Sequence, residues 1–160
     1  MKKNIKVIFI SIFMMFVNVN AETKNNSSQS IKMEKQILNN ISAEYCECSA
    51  YFHIATEAIK RSGEDSLSQR YKNIAEELFI SSLTIKELET SSEEMAKKVT
   101  GSRFEFFVKT MLDEIANDYG NIAILMNQHQ TYCLDIYKDP QQHTERIRKQ
   151  TAKKFLNKGN

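Results

Sequence analysis

The chain has 160 residues, with 22 Lys and Arg against 20 Asp and Glu, one Pro, four Gly and no Trp. That length suits a single domain. A composition so charged and so poor in Pro and Gly argues against collagen, an all-β sandwich or a multispan membrane protein, and suits a helical one. The formal charge is +2, but three of the 22 basic residues, Lys2, Lys3 and Lys6, crowd the extreme N-terminus, and the remaining 19 against 20 acids give −1.

Those lysines precede an apolar run from Val7 to Val17 that only Ser11 interrupts, followed by Val19-Asn20-Ala21. A basic start, an apolar middle and small residues at −3 and −1 are the pattern of a secretory signal peptide. The run is about half the roughly 20 residues a membrane-spanning helix needs, so cleavage after Ala21 is expected, with the periplasm as destination. Residues 22–30 are polar, have no large apolar side chain and read as a flexible leader.

In the mature chain the apolar positions Leu38, Ile41, Tyr45, Cys48, Phe52, Ala55 and Ile59 alternate in steps of three and four, which predicts a helix with one buried stripe. Ser62-Gly63 should close it. A second helix is expected through Leu67, Tyr71, Ile74, Leu78, Ile85, Leu88, Met95 and Val99, with a weak point at Thr90-Ser91-Ser92 and a stop at Gly101. Ser102 and Glu105 have the spacing of a capping box for a third helix, which buries Phe104, Phe107, Met111, Ile115, Tyr119, Ile122, Met126, Cys133 and Ile136, with room to bend at Gly120. Asp139-Pro140 ends that helix and begins a short basic one. The predicted fold is all-α: an antiparallel bundle of three long helices over residues 31–138, then a basic C-terminal helix or tail over 139–160.

Export to an oxidising compartment predicts a disulfide among Cys46, Cys48 and Cys133. Cys46 and Cys48 are about 200° apart around a helix. Cys48 shares the apolar stripe, as does Cys133 in its own helix, so Cys48 to Cys133 is the expected bond, and Cys46 is left as a free thiol or a bridge between two chains. Straight helices would leave the two partners roughly 13 Å out of level, against the roughly 4.4–6.8 Å between α-carbons that a disulfide needs. Either a helix bends, with Gly120 the candidate place, or the pairing is wrong.

No catalytic motif accompanies His53, His129 or His143: there is no Gly-x-Ser-x-Gly, no His-Glu-x-x-His and no glycine-rich phosphate loop. The helical phase scatters Cys46, Cys48 and His53, so no metal site is expected, and no cofactor is assigned. A non-catalytic protein is the reading. His53, Met126 and His129 would be the axial candidates if the helices held a non-covalent haem, and a bundle that holds haem, metal or a small apolar ligand is the alternative function.

Charge distribution is the strongest functional signal. Thr144 to Asn160 holds Arg146, Arg148, Lys149, Lys153, Lys154 and Lys158 against Glu145, a net +5 that leaves Glu22 to His143 at −6. The basic segment is expected to contact a protein partner in the cell envelope, with weak contact to an anionic membrane as a second surface; nucleic acid is not expected. In kind only, the chain resembles exported immunity and inhibitor proteins, exclusion and lysis-control proteins of mobile elements, and small envelope chaperones. No residues match one by one, so no site is carried over.

Overall fold

A computed structural model describes residues 24–157, and all regular structure among them is helical. The proposed signal peptide lies outside the described residues. The elements are α1 (Lys24–Arg61), α2 (Asp65–Thr90), α3 (Glu93–Glu114), a 3-10 turn (Tyr119–Asn121), α4 (Ala123–Leu125), a π-helical segment (Met126–Gln130), α5 (Thr131–Lys138) and α6 (Pro140–Asn157).

α1 is the central element. Between Ile41 and Ala58 only Ala43, Glu44, Glu47, His53 and Glu57 escape burial, so this helix is covered on several sides rather than along the single stripe its apolar spacing predicts. Small polar residues account for the difference. Ser42, Ser49 and Thr56 repeat every seven residues on α1, opposite Ser82, Ala75 and Ser68 on α2. Ser42 and Ser82 each donate to the other's carbonyl (3.0 and 2.7 Å). Ser49 donates to the Ala75 carbonyl (2.8 Å) and Ser68 to that of Thr56 (3.2 Å). The seven-residue repeat keeps one seam facing its neighbour, as in coiled coils, and short side chains let the two antiparallel backbones come close while every buried hydroxyl in the seam is satisfied.

The helix ends depart from several expectations. Gly63 at φ 85° closes α1, as its sequence requires. Residues 22–30 are not a separate leader from Lys24 onward, because α1 already includes them; extending a formed helix adds one hydrogen bond per residue and needs no new nucleus. The second break falls at Thr90-Ser91-Ser92 and not at Gly101. Thr90 Oγ1 donates to the Lys86 carbonyl and accepts from the Ser92 amide, Ser91 is left-handed at φ 55°, and Ser92 caps α3 by accepting from the Met95 amide (3.3 Å). Glu93 and Glu94 then sit in the first turn, where the helix dipole favours them. Local side-chain bonding thus outcompetes the glycine signal. Gly101 lies inside α3, and Ser102 and Glu105 cap nothing.

The third predicted helix is also interrupted. Ala116 and Asn117 adopt φ 54° and 57°, and Asp118 accepts from the Gly120 amide (2.8 Å). The bend therefore begins four residues before Gly120, at Ala116-Asn117. It reverses the chain beside the C-terminal end of α1, where the Arg61 guanidinium lies 4.1 Å from the centre of the Tyr119 ring. The π-helical segment and α5 then descend along α1 and α2, with Gln130 Nε2 donating to Tyr71 (3.2 Å) and the Tyr137 hydroxyl to Glu77 (3.0 Å). Asp139 ends α5, and its side chain caps α6 by accepting from the Gln142 amide (2.9 Å).

Candidate functional site

The early reversal at residues 115–121 removes the level mismatch between the cysteines. Cys48 and Cys133 are both fully buried, with α-carbons 5.2 Å apart and sulfurs at bonding distance, 2.07 Å. Cys46 is a free, buried thiol on the other side of α1, 3.6 Å from the Thr100 carbonyl of α3. Burial pushes that thiol up to about 11, against the pull of the Arg103 guanidinium.

Beside the cysteine pair, α1, the π-helical segment, α5 and α6 bring together a group of polar side chains. Glu44 and Glu47, one turn apart on α1, face two histidines. His129 Nδ1 lies 3.6 Å from Glu47 Oε1, and His143 Nε2 3.4 Å from Glu44 Oε2. The π-helical segment sets the first of these, since one widened turn rotates His129 onto Glu47 and against Tyr51, with ring centres 5.8 Å apart; such turns recur at functional sites. Burial raises the Glu47 carboxyl, while His129 opposes and Glu44 and Glu114 add to the rise.

The Glu44 carboxylate is the more heavily used. It accepts from the Tyr132 hydroxyl of α5 and lies 3.6 Å from the Arg146 guanidinium of α6. Arg146 also donates to His143 Nδ1 (2.8 Å) and lies 5.2 Å from the centre of the Tyr132 ring. Burial, then Arg146, drive the His143 imidazole down to about 4. Burial, then its hydrogen bond to Glu44, raise the Tyr132 phenol well above its usual range, and burial with Glu44 pushes Tyr45 up to about 12. His143, Tyr132 and Tyr45 are thus each held in the uncharged form at neutral pH.

The basic residues of the C-terminal segment divide by helical phase. His143, Ile147 and Thr151 are buried at steps of four, with Asn40 Nδ2 donating to Thr151 Oγ1 (3.3 Å). Arg146, Lys149, Lys153 and Lys154 are exposed, and Arg148 is half-buried. Lys149 and Lys153, four residues apart, lie on one outward face, whereas Arg146 turns its guanidinium toward Glu44 and His143. The expected tail is thus an ordered helix over the described range.

The other expected candidates separate. His53 is exposed and meets Phe104 edge-on at 5.6 Å between ring centres, whereas His129 meets Tyr51. His53 and Tyr51 are about 200° apart around α1, so the two imidazoles flank different sides of that helix and share no axial position. Among the described residues no three His, Cys, Asp or Glu side chains converge as metal ligands, and no helix is long and apolar enough to cross a membrane. The acidic positions of α2 are partly engaged within the fold: Glu76 pairs with Lys72 (3.9 Å), Glu89 with the buried Lys86, and Glu77 accepts from Tyr137.

The sequence alone points to no role for Glu44, Glu47 or Tyr132 and shows no companion motif for His143, whose imidazole the fold buries. The available signal was the spacing of His143, Ile147 and Thr151, which marks an inner face on a segment read only for its charge. No family model, curated protein or solved structure matches the chain.

Proposed function

We propose that the chain is an exported, non-catalytic helical protein of the periplasm that acts by binding another protein, in the manner of an inhibitor, immunity or exclusion factor, through the outward face of α6. The observation that carries this reading is the exposed pair Lys149 and Lys153 on a helix whose opposite face is packed on α1. Cations on a docked helix present a fixed array to an acidic partner, and their ordering is already accomplished before binding. The Cys48–Cys133 pair supports an oxidising compartment, where such a bond persists.

The test is retention of a single stoichiometric partner from envelope extract by the purified chain, compared with Lys149→Glu/Lys153→Glu. Charge reversal is preferable to deleting residues 144–160, because deletion would also remove the buried Ile147. We expect the wild-type protein to hold its partner at low salt and the variant to lose it. Equal retention by both proteins would refute the α6 contact. Sedimentation with anionic vesicles that the same reversal abolishes would favour a membrane surface instead.

A further inference from the structure

α6 is joined to the rest of the chain by a one-residue hinge and held by a largely polar seam. Asp139 alone separates α5 from α6, at φ −133° and ψ 73°. Of the three residues buried among the described side chains of α6, His143, Ile147 and Thr151, two are polar. A helix attached in this way has less apolar burial to lose on opening than α2, whose buried face includes Tyr71, Ile74, Leu78 and Ile85, and such elements occupy the low-stability end of a fold.

The seam contains a group that holds only one protonation state in place. Arginine has no acceptor, so the 2.8 Å contact between Arg146 and His143 Nδ1 uses the nitrogen's lone pair. The single imidazole proton is then on Nε2, facing Glu44 Oε2 at 3.4 Å. A second proton must enter at Nδ1, where it would turn an acceptor into a donor opposite a guanidinium and set two cations against each other. The groups around the ring are Glu44 and Tyr45 from α1, Tyr132 from α5 and Arg146 from α6. Glu44 is the one acid among them, and it is already shared by Arg146 and the Tyr132 hydroxyl. Within the closed seam the second charge is therefore under-compensated. In water it is not.

We propose that α6 is an acid-released strap: a proton on His143 breaks its bond with Arg146, and α6 swings about Asp139 away from Asn40, Glu44 and Tyr45. The device belongs to the chain itself and needs no partner. Uptake of one proton on opening makes the opening constant rise by at most tenfold per pH unit.

Amide hydrogen exchange on the full, oxidised chain between pH 7 and pH 4.5, corrected for the intrinsic rate, reads this directly. The expected result is that residues 140–157 lose protection, approaching tenfold per unit, while residues 65–90 keep theirs. His143→Gln, which can accept from Arg146 and does not titrate, should hold α6 protection flat. Loss of protection in α2 together with α6, full retention in α6 at pH 4.5, or a variant that opens like the wild type would each overturn the proposal. Should His143→Gln fail to fold, nuclear magnetic resonance of the wild-type imidazole replaces it: protonation coincident with α6 opening supports the strap, and protonation with α6 still protected refutes it.

Discussion

Cys46 and Cys48 are two residues apart, yet their surroundings divide them completely. Cys48 meets Cys133, whereas Cys46 faces the Thr100 carbonyl at 0% exposure. Burial leaves its thiol raised to about 11, and the thiolate is the reactive form. At pH 8 the native protein should therefore take up no alkylating agent at Cys46 on the timescale of minutes, and one equivalent per chain once unfolded without reductant, measured by intact mass. Rapid labelling of the folded chain would contradict its burial. The opposed directions of these two thiols were legible from the roughly 200° between them. The partners of His143 were not, since Glu44 and Tyr132 lie 99 and 11 positions away and only packing joins them.

At the scale of elements, periodicity located the helices and side-chain chemistry placed their ends. Gly101 carried the strongest breaking signal in its region, yet it is helical, and a Cβ there would meet nothing within 4 Å. Gly101→Ala should accordingly raise stability by about 1 kcal/mol, since alanine is favoured over glycine in a helix interior by about that amount; thermal or urea unfolding would show it. The α1–α2 seam should respond in the opposite way. Ser82 is fully buried and both donates to and faces Ser42. Ser82→Leu adds volume where two backbones are close and removes the bond that Ser82 donates to the Ser42 carbonyl, so a loss of about 2–4 kcal/mol is expected from overpacking and the lost hydrogen bond together. The seven-residue recurrence of Ser42, Ser49 and Thr56 was present in the sequence, but apolar periodicity does not count serine as core.

Across the whole molecule, the Cys48–Cys133 link closes a loop spanning 85 residues and ties α5 to the centre of α1. On the chain-entropy account, a loop of that size contributes about 4.6 kcal/mol. Cys48→Ala/Cys133→Ala should lower the denaturation midpoint accordingly, and reduction of the wild-type protein should give a matching decrease; an unchanged midpoint in both would remove the bond from the stability of the fold. The same scale decides the meaning of charge. A body of −6 and a C-terminal segment of +5 are properties of composition, readable without coordinates, as are the all-α class, the closing turn at Gly63 and the hinge at Asp139-Pro140. These follow from local conformational preference and spacing along one chain. The bend at Ala116-Asn117, the level of Cys133 and the placing of His143 between Glu44 and Arg146 depend on which surfaces meet. Contacts between distant segments repay strained or desolvated local states that no window of sequence contains, and for that reason only the tertiary structure could decide them.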